Sequence, residues 1–211
     1  MFLHTWSIDE KETEFEKFLA FPTHAPEEFS GYVLPYADCP LDSNPTGERV
    51  YMDILNRAKR YVHIMSPYLI LDGELETALK FAAERGVEVI LMLPGIPDKK
   101  VPYALAKTHY KSLLTSGVKI YEYTPGFVHA KVFVSDDHTA VVGTINLDYR
   151  SLYHHFECAT YLHKVDCIAE IEEDFQKTLE KCAPVTPEVL KEEKLSMKLT
   201  GFFLKALAPL M

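Results

Sequence analysis

Apolar positions along this chain switch repeatedly between two periods. Val50, Ile54, Leu55 and Ala58 fall on one face of a helix predicted over 47–61, and the same spacing predicts helices over 74–85, 103–116 and 166–182. Gly86 is placed to end the second of these in a left-handed conformation. Short apolar runs at 61–69, 87–93, 118–123, 128–135, 139–142 and 157–163 are rich in β-branched and aromatic residues and read as strands. The run at 87–93 is continuous, as expected of a strand covered on both faces. Strands alternating with helices predict an α/β layered domain.

The two ends read differently. Phe2, Leu3, Trp6, Phe15, Phe18 and Leu19 predict an N-terminal helix over 1–21. Pro22, Pro26, Pro35, Pro40 and Pro45 then interrupt any helix or central strand, so 22–45 is expected to be a linker with a strand at Tyr32–Leu34. Residues 46–185 form the predicted main domain. In the tail, 186–211, Leu195, Leu199, Phe202, Phe203, Ala206, Leu207 and Leu210 share a helical face, and Lys191, Lys194, Lys198 and Lys205 share another. Such a helix either lies in a lipid headgroup layer or docks on its own domain.

Composition narrows the function. The formal net charge of -9 argues against a nucleic-acid partner, which calls for a basic face. Cys39, Cys158, Cys167 and Cys182 form no C-x-x-C pair or metal-ligand spacing and read as reduced, packed thiols. No stretch reaches the ~18 apolar residues of a membrane span. Asp9, Glu10, Glu12 and Glu14 make the start too acidic for a signal peptide.

The strongest chemical signal is His129-Ala-Lys131-Val-Phe-Val-Ser-Asp136 followed by Gly143-Thr144-Ile-Asn146. On a strand over 128–135, His129 and Lys131 share a face with Phe133, while Ala130, Val132 and Val134 turn to the core. Gly143 ends the next strand where Thr144 and Asn146 can approach the same point. An imidazole, an ammonium and a carboxamide converging there suit a tetrahedral anion. A lone histidine would read as a satisfied core side chain. Six positions fixed together arise by chance in about one of 10^5 such chains, at residue frequencies near ~5%. His154, His155 and His163 lack a cysteine or carboxylate at a familiar spacing, so no metal site is expected.

At these residues the chain resembles the phospholipase D superfamily, whose signature is this pattern. Tyr121 to Lys131, Val142 to Ser151, Gly31 to Tyr36, Ser66 to Leu69 and Pro94 to Lys100 look like the second catalytic half of bacterial cardiolipin synthases. The N-terminal helix resembles the end of the preceding half. Such enzymes carry the motif twice, and this sequence carries it once. The resemblance implies a phospholipase D-like layered domain with a mixed sheet flanked by helices. The implied reaction is phosphatidyl transfer, converting two phosphatidylglycerols to cardiolipin and glycerol through a phosphohistidine, without cofactor or metal. Carried over residue by residue, His129 is one of two catalytic imidazoles. Lys131 and Asn146 hold nonbridging phosphate oxygens, and Thr144 adds a hydroxyl hydrogen bond. Asp136 is an orienting or structural acid, and Glu157 bonds a catalytic imidazole.

Lys99, Lys100, Arg150 and Tyr68 are candidate substrate contacts; a solvated loop charge pair is the commoner explanation for the two lysines, and Arg150 reads equally as a structural anchor. Expected partners are anionic phospholipid, the cytosolic face of a membrane, and a second motif-bearing half or a homodimer partner. Two alternatives stay open: a stand-alone homodimeric phosphodiesterase or nuclease, and a non-catalytic lipid-binding half.

Overall fold

The structure is a computed structural model that describes residues 2–8, 14–19, 30–192, 204–206 and 208–210. The chain divides into two units, Met1–Ser30 and Gly31–Met211. In the first, α1 (Phe2–Trp6) and α2 (Glu16–Leu19) are short helices. Much of the single helix expected over 1–21 lies outside the described residues, as do residues 193–203 of the tail helix.

The second unit is a mixed α/β layer. Its elements are β1 (Tyr32–Asp38), α3 (Thr46–Arg57), β2 (Tyr61–Met65), β3 (Leu69–Ile70), α4 (Gly73–Glu84), β4 (Glu88–Pro94), α5 (Lys100–Thr115) and β5 (Lys119–Tyr123). Then come β6 (Val132–Ser135), β7 (Thr139–Gly143), β8 (Leu147–Asp148), a π-helix (Arg150–His154), β9 (Glu157–His163), α6 (Cys167–Leu179), β10 (Cys182–Pro184) and α7 (Pro187–Glu192). Among the described residues eight strands form one sheet in the order β1-β9-β7-β6-β2-β4-β5-β10, and β3 pairs with β8 apart from it. β2, β4 and β5 run parallel; β2 is antiparallel to β6, and β6, β7, β9 and β1 continue antiparallel. β1 falls inside the stretch expected to be a linker. Pro35 is tolerated there because β1 is an edge strand.

Side chains alternate across the sheet as a period of two requires. Val62, Ile64, Val89, Leu91, Phe133 and Val141 join Tyr51, Leu55, Leu75 and Leu79 of α3 and α4 in the main core. Met65, Ile90 and Met92 face Phe175 of α6, and Val134, Ala140 and Leu162 face Ile168 of the same helix. Phe133 thus lies on the opposite face from Val132 and Val134, as the strand pattern predicted. The Tyr51 ring stacks on Phe133 at 3.9 Å between centroids, and its hydroxyl donates to the Ile145 carbonyl at 2.8 Å. The core therefore grips the loop that carries Thr144 and Asn146.

The described end of the tail takes the docked alternative. Leu204 and Ala208 pack with Ile70, Leu105 and Tyr149, and His154 Nε2 donates to the Pro209 carbonyl at 3.0 Å.

Candidate active site

Strand register gathers the segments that carry His129, Lys131, Thr144, Asn146 and Glu157 on one rim of the sheet. Met65 pairs with Val132, Val132 with Val142, and Gly143 with Ala159. The segments following β2 and β7, and those preceding β6 and β9, therefore leave the sheet on the same side. β4 is parallel to β2 with Met65 opposite Met92, so the loop from Gly95 to Lys99 leaves there too. This is the mouth that open α/β sheets offer at the carboxyl ends of parallel strands. Gly143 makes the last approach possible, since a Cβ there would sit 2.4 Å from Ala159 Cβ and 2.5 Å from the Cys158 oxygen.

β6 begins at Val132, not at Val128 as expected. β2 ends opposite Val132, so the preceding residues have no strand to pair with. His129 and Lys131 stand in this lead-in. His129 is exposed, and its ring centroid lies 5.7 Å from that of Phe127, which lies 6.4 Å from that of Tyr68. Lys131 is only 9% exposed, and its Nζ donates to the His129 carbonyl at 2.7 Å. Burial lowers the ammonium's pKa, opposed in part by the negative charges of Glu157 and Asp148. One proton of the ammonium thus fixes the backbone that carries the imidazole, and two more remain for an anion.

Thr144 and Glu157 engage each other. The Thr144 hydroxyl donates to Glu157 Oε2 and accepts from the Cys158 amide at 3.0 Å. Glu157 Oε1 lies 3.8 Å from His155 Nδ1. The imidazole of this chain beside the buried acid is His155. Thr144, expected to bond phosphate directly, instead positions Glu157.

Asn146 Nδ2 donates to Ser151 Oγ at 2.8 Å, leaving Oδ1 buried without a partner. A half-turn of the amide lets the Ser151 hydroxyl donate to Oδ1 and presents Nδ2 as a free donor where Oδ1 stood. Ser151 is itself held by its amide, which donates to Asp148 Oδ1 at 2.7 Å. The i, i+3 spacing of Asp148 and Ser151 was visible in the sequence, but their support of Asn146 was not.

Asp136 does not join this group. It follows the far end of β6, four strand residues beyond Lys131 and so about 16 Å along the chain. Its carboxylate accepts from the amides of Lys59 at 2.8 Å, Arg60 at 2.9 Å and Tyr61 at 3.0 Å. Burial raises its pKa, but those three amides outweigh burial and lower it overall. Asp136 and Asp137 have φ of 54° and 63°, and the His138 amide closes the turn on the Ser135 carbonyl at 3.2 Å. Positive φ at both central residues matches the twist of a two-residue hairpin. Of the acid's two expected roles, the structure shows the structural one.

The four candidate substrate contacts converge. Tyr68, Lys99, Lys100 and Arg150 line one cleft of about 620 Å³ with Ile70, Val101, Pro102 and Asp148. Pairing of Leu69 with Leu147 and of Ile70 with Asp148 brings the two flanks together. The Tyr68 hydroxyl donates to Asp98 Oδ2 at 2.6 Å; burial and then this bond push its pKa up to about 12. An apolar floor under three cations fits an amphiphile with an anionic head. The Tyr68–Phe127–His129 row of rings links the cleft to the imidazole. Among the described residues, the one group of acidic or histidine side chains spaced for a metal lies on α3 and the start of α4.

Comparison with known proteins gives the same assignment. The family model described as "Cardiolipin synthase, PLD-like domain" matches residues 51–179. An uncharacterized protein of Streptococcus mutans is 59% identical over all 211 residues, which make up 46% of its length. A cardiolipin synthase of Clostridium perfringens is 38% identical over 76% of this chain and 34% of its own length. The chain thus spans less than half the length of these relatives. Among solved structures, phosphatidylserine synthase of Haemophilus influenzae superposes with a TM-score of 0.65 at 17% identity, over 84% of this chain and 45% of that one. The phospholipase D family member Nuc of Salmonella typhimurium superposes with a TM-score of 0.63 at 16% identity, over 74% of this chain and 99% of that one. The chain belongs to the phospholipase D-like domain family of the cardiolipin synthases.

Proposed function

We propose that this chain supplies one half of a phosphatidyl-transfer site that joins two phosphatidylglycerols into cardiolipin and glycerol. The observation that carries the proposal is the cleft: three cations over an apolar floor, joined by a row of rings to an exposed imidazole. Transfer proceeds in two displacements. One imidazole attacks phosphorus, and the bond to the glycerol headgroup breaks as a second imidazole protonates the departing alkoxide. The second imidazole then takes the proton of the incoming lipid's hydroxyl, whose oxygen displaces the first. His129 is one of this pair. Lys131 and the turned Asn146 amide donate to the nonbridging oxygens, where charge builds up. Glu157, held by Thr144, steadies the positive charge of the rim.

The chemistry needs a second imidazole beside its own lysine and asparagine, and the motif occurs once here. A second motif-bearing half or a second copy completes the site, at the cytosolic face of a membrane where the lipids lie. The test pairs light scattering with transfer assays on phosphatidylglycerol vesicles. The monomeric chain is expected to be inert and to gain activity on addition of the partner half or on dimerisation. Transfer by a monomer, or a phosphoenzyme trapped on a residue of this chain other than His129, overturns the reading.

A further inference from the structure

A second cluster of chemistry-bearing side chains lies outside the residues of the proposed transfer site. Glu48 stands in the first turn of α3, Asp72 is the N-cap of α4, and Glu74 is in the first turn of α4. One carboxylate oxygen from each lies within 4.8 Å of the other two. Glu48 and Asp72 are 6% and 5% exposed, whereas Glu74 is open to solvent. No ion pair among the described residues involves any of the three.

Independently of this clustering, Glu48 Oε1 is buried with no hydrogen-bond partner. Native proteins rarely leave such an atom unmet, because its desolvation is not compensated. Asp72 is better served, since Oδ1 accepts from the Leu75 amide at 2.8 Å and Oδ2 from the Tyr153 hydroxyl. Each of its oxygens keeps a further lone pair. Burial first, then a side-chain hydrogen bond with Asp72 and the negative charge of Asp72, push the Glu48 pKa up to about 7, against the pull of Tyr153.

Two occupants can satisfy Glu48: a proton shared with Asp72, or a cation. A shared proton leaves the charge of Glu74 unmatched beside another negative charge. A cation uses all three carboxylates, and the solvent side at Glu74 admits the water ligands that hard cations retain. Coordination geometry discriminates further. Calcium takes about six to eight oxygens in flexible geometry, whereas magnesium demands a near-ideal octahedron and sheds its water reluctantly. Three carboxylates fixed on the starts of two helices, one oxygen of each within 4.8 Å of the others, suit the more adaptable ion.

We infer that Glu48, Asp72 and Glu74 form a binding site for a hard divalent cation, calcium in preference to magnesium. The cation ties the first turns of α3 and α4 together through Glu48 and Asp72. Through the bond from Tyr153 to Asp72 it also steadies the π-helix, which carries Arg150 and Ser151.

Calorimetric titration and thermal unfolding of the whole chain, first stripped with a chelator, test the site with calcium or magnesium chloride alone. Calcium is expected to bind at one site per chain, more tightly than magnesium, and to raise the melting temperature. Glu74→Gln alters only an exposed side chain and should weaken calcium binding roughly tenfold while leaving the chelated protein's melting temperature unchanged. Glu48→Gln keeps the buried shape and should remove the calcium-dependent rise. No heat and no melting shift with millimolar calcium in the wild-type chain overturns the inference in favour of the shared proton. Unaltered calcium binding in both variants overturns the location, and tighter binding of magnesium overturns the choice of calcium.

Discussion

The two ends of β6 hold parts of one sequence motif under opposite conditions. At the start of the strand, His129 is exposed and Lys131 spends one proton on the histidine's own carbonyl, keeping two for a ligand. Just past the other end, Asp136 is 7% exposed and accepts from three successive amides that lead into β2. Polar groups with unused capacity mark a place where something binds. Polar groups whose capacity is filled by backbone mark a joint. The pattern H-x-K-x4-D is therefore a reactive end and a structural end separated by the length of a strand.

Substitutions at each end can break this division. The largest effect is expected at His129, in the two-half assembly proposed above. His129→Gln should lower the transfer rate by roughly 10^3- to 10^4-fold, and Lys131→Met by roughly 10^2- to 10^3-fold. Melting temperature should stay level for the first. It should stay level or rise slightly for the second, since a desolvated charge is replaced by an apolar chain. A fall in stability that accounts for the lost activity would make this end structural as well.

Asp136→Ala should show the converse. Leaving three amides unmet is expected to cost about 3 kcal/mol or more in denaturant unfolding, with little change in rate per folded molecule. The sign of its pH dependence follows from a lowered folded-state pKa. Asp136 stabilises the fold above the ordinary carboxyl range and loses that contribution as pH falls below about 4. The variant's unfolding free energy should thus decline less steeply on acidification than the wild type's. Parallel acid limbs would remove Asp136 from this role.

The smallest effect is expected in the cleft. Arg150 is exposed, so Arg150→Ala should leave unfolding unmoved and raise KM for phosphatidylglycerol several-fold, about 1 kcal/mol of lost binding. An unchanged KM would leave Arg150 as an anchor only.

Much of this was legible in the sequence because it rests on local signals. Alternation placed Phe133 opposite Val132 and Val134, and the apolar faces of α3, α4, α5 and α6 followed the helical period. Tyr68, Lys99, Lys100 and Arg150 were picked from separate stretches, and the pairing of β3 with β8 brings them into one cleft. What escaped depends on partners distant along the chain. The start of β6 is set by where β2 ends, and the edge role of β1 by β9. Thr144 turns to Glu157 because Gly143 lets β7 approach β9 closely. The cluster of Glu48, Asp72 and Glu74 arises only when the starts of α3 and α4 meet, and no motif announces it.

The mixed sheet also bears on how the chain folds. Residues 61–123 supply the parallel strands β2, β4 and β5, and residues 132–163 supply the meander β6, β7, β9. The antiparallel meander is built from near neighbours in sequence and should close first, the parallel set follows across its helical crossovers, and the seam between β2 and β6 is the longest-range of these pairings and closes last. Asp136 belongs to the second set, and the amides it accepts from introduce the first. The seam is thus locked from its back edge as His129, Lys131 and the segment after β2 come together at its front. Kinetic assembly and completion of the reactive rim become one event, so a half-folded chain would hold neither.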